Sequence, residues 1–213
     1  MTYHLAVDIG ASSGRHILGW VEDGMIKTEE IYRFVNNLKK EDNKLIWDTD
    51  SLLKEVKEGI RQCKVVGKLP ATIAIDTWGV DYALLDSDLN VIKPVYCYRD
   101  SRTERSIPEV EKLITKERMY ELTGIQKQTY NTVYQLYADK MDGRLDKASH
   151  FLLMPAFLSF GLTLTAVTLQ VRGHSLMAAR CAEQHSRHSS SSPASQASIH
   201  SRSSWKEAAS TRD

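Results

Sequence analysis

A short segment near the N-terminus, Asp8-Ile-Gly-Ala-Ser-Ser-Gly-Arg15, combines residue types that bind metal ions and phosphate. Its two glycines, Gly10 and Gly14, would let the backbone turn tightly and approach a ligand closely. The serine hydroxyls and successive backbone N–H groups could line an anion-binding cradle, and Arg15 could neutralise phosphate charge. Asp8 ends a predicted strand, where its carboxylate could hold a hydrated magnesium ion. A β-turn with a solvated arginine explains the same residues, so the segment alone leaves both interpretations open.

A second segment, Ile75-Asp-Thr-Trp-Gly-Val-Asp-Tyr82, has the composition of a sugar-binding turn. Trp78 offers a flat apolar face to the C–H surface of a sugar, and Asp81 could accept hydrogen bonds from hydroxyl groups. Gly79 lets a backbone group approach the ligand. The alternative interpretation is a structural hairpin in which the Trp78 side chain only fills space in the core.

A third segment, Tyr96-Cys-Tyr-Arg-Asp-Ser-Arg-Thr103, alternates basic and acidic side chains after a predicted strand. Asp100 and Arg102 could form the polar rim of a sugar pocket. They could equally form a surface ion-pair cluster, which contributes little energy. The residues from Asn131 to Gln135 are explained by a capped helix.

Three predicted strands would position the first segment. Hydrophobic periodicity predicts strands over Tyr3–Ile9, Arg15–Val21 and Met25–Phe34, with the residues from Glu22 to Gly24 as a hairpin turn. We therefore expect an antiparallel meander at one edge of a sheet.

Farther along the chain, predicted helices and strands alternate. Apolar spacing predicts a helix over Ser51–Cys63, and Ala71–Ile75 is predicted as a strand that delivers Asp76. Val80–Leu85 and Val91–Val95 are predicted to form a hairpin. Three more helices are predicted, from about Pro108 to Ile114 behind a capping box at Ser106–Glu109, from Lys116 to Leu122, and after Asn131. The pattern belongs to the α/β class.

Composition excludes several functional classes. The 213 residues include 28 Lys+Arg and 27 Asp+Glu, for a net charge of +1, so no basic excess indicates nucleic acid binding. Three cysteines without a CxxC pair favour a reducing compartment over a disulfide scaffold, and the histidines show no zinc-ligand spacing. The N-terminus lacks the features of a signal peptide, so we expect a cytoplasmic protein.

The composition changes sharply after about residue 162. All nine tyrosines precede residue 138, whereas the last fifty residues are rich in Ser, Ala, Arg and His and lack apolar periodicity. We expect a folded part over residues 1–162 and a disordered tail over 163–213. A shift of reading frame or a truncation of the kinase-like part is an alternative, more specific explanation of the tail. The uncharged run from Phe151 to Val171 could span a membrane, and the alternative function is then a non-enzymatic sugar- or nucleotide-binding protein tethered to a membrane. A soluble helix from Phe151 to Leu162 explains the run equally well.

The three segments, in this order and at these intervals, resemble the FGGY carbohydrate kinases. The resemblance covers residues 3 to about 162 and is most specific for the branch that acts on L-rhamnulose. It is carried by the segments 6–15, 75–82, 98–103, 131–136 and 151–155.

The resemblance implies a ribonuclease-H-like fold of the actin-like ATPase type, of which this chain would hold an incomplete N-terminal lobe. It also implies ATP with Mg²⁺ and phosphorylation of L-rhamnulose at its primary hydroxyl. Asp8 would orient the hydrated metal, and Gly79 would contact the ketose. The ATP phosphates would be contacted by Ala11, Ser12, Ser13, Gly14 and Arg15. Weaker candidates around the sugar are Trp78, Asp81, Asp100 and Arg102.

The chain departs from the family at the catalytic base. That base is an Asp within a His-Asp-Thr segment, and no such segment occurs in these 213 residues. We also expect these residues to lack the second lobe, which closes over adenosine in the family. Phosphoryl transfer depends on positioning and an oriented acceptor hydroxyl, so we expect this chain alone to be inactive. We also expect an unprotected sheet edge and a tendency to aggregate.

Overall fold

A computed structural model describes residues 1–36 and 38–163, arranged mainly around one four-stranded sheet. Its order is β3-β2-β1-β6, formed by β1 (Tyr3–Ile9), β2 (Ser13–Glu22), β3 (Met25–Val35) and β6 (Pro70–Thr77). β1, β2 and β3 are antiparallel neighbours, whereas β6 pairs in parallel with β1. The predicted meander is therefore confirmed, and β1 is the only described strand that pairs with β6.

One face of this sheet carries the main hydrophobic core. Leu5, Val7 and Ile9 of β1 are buried, and the residues between them point to the other face of the sheet and are exposed or half-buried. The three buried residues pack in one cluster with residues of α1 (Thr49–Val65) and α5 (Met154–Thr163). The period-two pattern of β1 thus fixes which side chains reach the core and which remain on the opposite face.

Helix α1 begins two residues earlier than predicted. The carboxylate of Asp48 accepts a hydrogen bond from the backbone N–H of Ser51 and caps the helix. The predicted apolar face is confirmed, because Leu52, Val56 and Cys63 are buried.

The predicted hairpin of Val80–Leu85 with Val91–Val95 forms only next to its turn. There the backbone N–H of Ile92 donates to the carbonyl oxygen of Leu84 over 2.8 Å, and Val91 forms an isolated bridge to Leu85. The rest of the predicted second strand is not a strand, and β7 (Tyr82–Leu85) pairs along its whole length with β8 (His150–Leu153). The helix predicted from Phe151 begins at Met154, because the first residues of this apolar run complete the β7–β8 pair. Two further strands, β4 (Leu38–Glu41) and β5 (Lys44–Trp47), form a hairpin that was not predicted.

Three helices follow the sheet residues in the middle of the chain: α2 (Thr103–Leu113), α3 (Lys116–Thr123) and α4 (Thr132–Met141). The capping box at Ser106 is wrong, because α2 already starts at Thr103. Ser106 is buried inside it and donates to the carbonyl oxygens of Thr103 and Tyr134. Helix α3 ends one residue later than the predicted Leu122, because the following Gly124 is left-handed with φ 68° and stops the helix. A short 3₁₀ helix, Leu145–Lys147, precedes β8.

The membrane interpretation of the uncharged run finds no support in the described part. Across residues 1–36 and 38–163, no helix combines the length and apolar character that crossing a bilayer requires. The end of that run and the tail expected to be disordered lie outside the described residues from 164 onward. The boundary at residue 162 stays a prediction.

Candidate functional site

The turn between β1 and β2 is held from one side by Asn36. Within the turn, the backbone N–H of Gly10 donates to the carbonyl oxygen of Ser13 over 2.8 Å. Asn36 is buried, and its side chain donates to the carbonyl of Gly10 (2.9 Å). Its backbone N–H donates to the carbonyl of Ser12 (3.0 Å). The carbonyl oxygens of Gly10 and Ser12, which would repel a phosphate, therefore accept hydrogen bonds from Asn36. The Ser12 residue itself is exposed to solvent.

Two carboxylates lie side by side where β1 and β6 end. Asp8 and Asp76 are register neighbours in the parallel pair, and Arg15 is opposite Asp8 on β2. The Nε of Arg15 donates to Oδ2 of Asp8 over 2.9 Å. Both side chains of this ion pair are 45% exposed, so a ligand can reach them.

This arrangement fits a hydrated metal with phosphate. Hard cations such as Mg²⁺ take few protein carboxylates and keep several waters. In the part of the chain that the structure describes, no three His, Cys, Asp or Glu side chains gather to form a denser metal site. Asp8 and Asp76 supply two carboxylates, and Arg15 with the adjoining turn supplies donors for phosphate oxygens.

The predicted role of Gly14 requires a correction. Gly14 is a buried residue of β2 rather than part of the tight turn, and its cross-strand neighbour is Phe34. A Cβ at Gly14 would lie 2.1 Å from Cζ of the Phe34 ring. The absent side chain therefore makes room for an aromatic ring of the core, and this packing alone demands a glycine there.

Beside the carboxylate pair lies the turn that follows β6. The Trp78 indole is half-buried and packs on the buried Trp47, with ring centroids 4.0 Å apart, whereas Gly79 is exposed. Asp81 lies behind them and is 1% exposed. Burial, the largest influence, raises the pKa of Asp81, while hydrogen bonds from surrounding donors act in the opposite direction. The exposed Gly79 and the indole are thus the parts of this turn that a ligand can reach.

Val80 holds this turn in an unusual backbone conformation. Its φ is 71°, in the left-handed region that a β-branched residue rarely adopts. Its carbonyl oxygen accepts hydrogen bonds from the hydroxyl of Thr132 (2.8 Å) and from Nε2 of Gln135 (3.3 Å). Such conformations cost about 1–3 kcal/mol and persist where the surroundings over-determine them. The first turns of α4 supply that constraint here.

The side chains of Asp100 and Arg102 do not form an exposed ion-pair cluster, so that interpretation is wrong. Asp100 is 7% exposed and accepts from the backbone N–H groups of Leu45 (2.7 Å) and Arg102 (2.9 Å). The Arg102 side chain is 8% exposed and donates to the buried Asp139 over 2.7 Å. It also lies over the ring of Tyr96, 3.9 Å from its centroid.

Asp100 and Arg102 contribute instead to a cleft of about 400 Å³. Its other lining residues include Tyr96 and Arg144, but neither Trp78 nor Gly79. The structure therefore brings the first two segments together at the ends of β1 and β6. The third segment contacts the second through one hydrogen bond, in which the backbone N–H of Tyr98 donates to the buried carboxylate of Asp81.

Several supporting residues were not predicted. Asn36 follows β3 with no motif around it, and Gln135 looked like an ordinary helix residue. Tyr98 and Tyr130 lie edge to face, with ring centroids 5.7 Å apart, although 32 positions separate them in the chain. The sequence signal that could have found Gln135 is its position three residues after Thr132, which puts two polar side chains on one face of the predicted helix.

Comparison with known proteins identifies what the chain is similar to. The model of the N-terminal domain of the FGGY family of carbohydrate kinases matches residues 3–172. The rhamnulokinase of Bacillus subtilis (strain 168) is 39% identical over 165 residues, which make up 78% of this chain and 34% of that protein. The rhamnulokinase of Halalkalibacterium halodurans is 44% identical over 165 residues, 76% of this chain and 35% of that protein. The chain thus spans about a third of the length of these relatives.

Solved structures show the same fold. The ligand-bound xylulose kinase of Lactobacillus acidophilus matches with a TM-score of 0.70 at 14% identity, over 83% of this chain and 36% of that chain. The xylulose kinase of Rhodospirillum rubrum matches with a TM-score of 0.70 at 15% identity, over 83% and 37%. At such identities the likeness concerns the arrangement of strands and helices alone. The expected α/β fold of a sugar-kinase N-terminal lobe is confirmed.

Proposed function

Because this chain belongs to the FGGY family of carbohydrate kinases, we propose that it forms the phosphate- and sugar-binding part of a ketose kinase. L-rhamnulose is the proposed ketose and Mg-ATP the proposed phosphoryl donor, supported by two rhamnulokinases at 39% and 44% identity. The proposed folded unit is residues 1–162.

One observation carries the proposal, namely the parallel pairing of β1 with β6. It sets Asp8 beside Asp76 and Ile9 beside Thr77, so the two turns that follow these strands leave the sheet at the same end. Ligands of open α/β sheets bind at the carboxyl ends of parallel strands. A phosphate held by the first turn and a sugar held by the second would therefore be neighbours.

The chain's own groups suit the two ligands. Asp8 would hold the hydrated metal, and Ala11, Ser12, Ser13 and Arg15 would bind phosphate oxygens. When bound, Mg-ATP supplies the transferable phosphoryl group and the charge that neutralises it. On the other turn, Gly79 leaves room for the ketose, and Trp78 presents an apolar face to it.

The 213 residues alone would bind these ligands and transfer little phosphate. A general base must lie within hydrogen-bond reach of the attacking hydroxyl, and the family's His-Asp-Thr segment does not occur in the sequence. We expect ADP release with L-rhamnulose and Mg-ATP at the background level. Robust turnover would overturn this part of the proposal and leave the binding part intact.

The phosphate side is tested by titrating the purified chain with a non-hydrolysable ATP analogue in the presence of Mg²⁺. Arg15→Gln should weaken binding roughly ten- to a hundredfold, because it removes charge-assisted hydrogen bonds. The matched control is Arg33→Gln, since Arg33 is the cross-strand neighbour of Arg15 but pairs with Glu30. Asp8→Asn should abolish the difference between titrations with Mg²⁺ and with a chelator. Equal affinities for wild type and Arg15→Gln would refute the phosphate site.

The sugar side is tested with L-rhamnulose and D-xylulose. Gly79→Leu should remove binding of the ketose, because the exposed glycine gives the ligand its access, while the ATP analogue still binds. Tighter binding of D-xylulose than of L-rhamnulose by the wild type would overturn the choice of sugar. Binding that Gly79→Leu leaves unchanged would overturn the location.

A further inference from the structure

We infer that Asp81 is a positioning residue: its buried carboxylate fixes the Trp78 indole for the ketose and does not itself touch the sugar. The inference rests on the proposed function, because it names how the sugar side of that site is held. It replaces the direct hydroxyl contact that the sequence suggested for Asp81.

The first argument is that the carboxylate is fully engaged. Oδ2 of Asp81 accepts from Nε1 of Trp47 (2.6 Å), from Nε1 of Trp78 (2.9 Å) and from the backbone N–H of Tyr98 (3.0 Å). Oδ1 accepts from Nε2 of Gln135 over 3.0 Å. At 1% exposure, neither oxygen is open to a sugar hydroxyl.

The second argument is the pairing of two indoles on one oxygen. Trp47 is 3% exposed and belongs to the main core, whereas Trp78 is half-buried and packs against that core from outside. Because both indole N–H groups meet at Oδ2, Asp81 ties the half-buried ring to the buried one. The two indoles, which pack at an interplanar angle of 35°, then present Trp78 beside the exposed Gly79 in a single orientation.

The third argument concerns the backbone between Gly79 and Asp81. The left-handed Val80 needs its surroundings to stay in place, and Gln135 binds both its carbonyl oxygen and Asp81. Asp81 therefore anchors the far end of the turn whose near end carries Trp78 and Gly79. A change at Asp81 should move both groups.

The experiment uses the full chain and reads the indole N–H signals of ¹⁵N-labelled protein. Trp47→Phe and Trp78→Phe assign the two indoles. In wild type, both should exchange slowly with solvent and lie apart from exposed indoles, because they donate to a buried carboxylate. Asp81→Ala should move both signals together and speed their exchange, and Asp81→Asn should have a smaller effect since it keeps one acceptor. Asp88→Asn, at an exposed aspartate of the next turn, is the control.

A ketose titration then separates positioning from direct contact. Asp81→Asn should weaken L-rhamnulose binding roughly tenfold. In the double variant with Trp78→Phe, the loss should be no larger than that of Trp78→Phe alone, because Asp81 acts through the indole. Multiplicative losses, or indole signals that Asp81→Ala leaves unmoved, would overturn the inference. A wild type that binds no ketose would overturn the proposed function, whereas the indole signals would still decide whether Asp81 holds Trp78.

Discussion

Gly59 lies where helix α1 crosses the buried ring of His16, and replacing it tests how tightly this sheet and helix interlock. His16 is fully buried on β2, and its Nε2 lies 3.2 Å from the carbonyl oxygen of Val56. A Cβ at Gly59 would lie 2.3 Å from three atoms of the His16 ring. Gly59→Ala therefore places a methyl group inside the van der Waals envelope of the imidazole.

Two opposing effects set the size of the change. Alanine in a helix interior is favoured over glycine by about 1 kcal/mol. Overpacking a filled core costs typically about 1–3 kcal/mol, and disturbing the hydrogen bond between His16 and Val56 adds about 1 kcal/mol. We expect Gly59→Ala to lower the free energy of unfolding by about 1–3 kcal/mol.

The assay is urea unfolding followed by far-UV circular dichroism on four proteins. These are the wild type, Gly59→Ala, His16→Ala and the double variant. With the imidazole removed, the methyl group has room, so Gly59→Ala should raise the unfolding free energy of His16→Ala by about 1 kcal/mol. The coupling energy should be about 2–4 kcal/mol, well above the error for independent sites.

Two results would contradict the proposed contact between Gly59 and His16. If Gly59→Ala stabilises the wild type, or changes both backgrounds equally, the helix can shift away from β2 and no interlock exists. A changed dependence on urea concentration would instead point to an altered unfolded state, so the slopes must agree among the four proteins.

Three further predictions concern other parts of the chain. Burial lowers the pKa of His16 from its ordinary 6.5, so stability should be constant above about pH 6.5 and fall as the pH drops below it. Urea midpoints at pH 7.5 and 5.5 should show this fall, and His16→Gln should flatten it. Asp48→Ala should lower the unfolding free energy by about 1 kcal/mol, whereas Asp50→Ala should have little effect, because Asp48 caps α1. Ile73→Lys on the edge strand β6 should reduce self-association in light scattering, whereas the matched control Leu113→Lys, at an exposed leucine of helix α2, should not; identical behaviour of the two variants would show that self-association does not start at the edge strand.

The parts of the fold that could be predicted are those decided by neighbours in the chain. β1, β2 and β3 follow from alternating apolar residues and a turn in which Asp23 and Gly24 both have positive φ. The hairpin after Val80 was correct only next to its turn, because the main partner of β7 is β8, which lies far along the chain. A pattern of neighbouring residues cannot show that two strands so far apart in the chain pair with each other. The apolar residues of β8 were also compatible with a helix.

The candidate site divides in the same way. The sequence predicted Asp8, Arg15, Trp78 and Gly79 as site residues from their types and turn positions, and the structure places them at the ends of β1 and β6. It could not assign Asp81 to the interior, because a carboxylate beside a tryptophan looks the same whether four donors surround it or none. Burial and the identity of those donors come only from the packing of distant elements.

The pairing of β7 with β8 bears on how the chain is made. Leu85 and His150, which are register partners, are separated by about 65 residues. At roughly 5–20 residues per second, a ribosome needs about 3–13 seconds to synthesise that stretch. During this interval the apolar strand β7 is synthesised without its partner, so a nascent chain of this protein is expected to need chaperone protection at that stage.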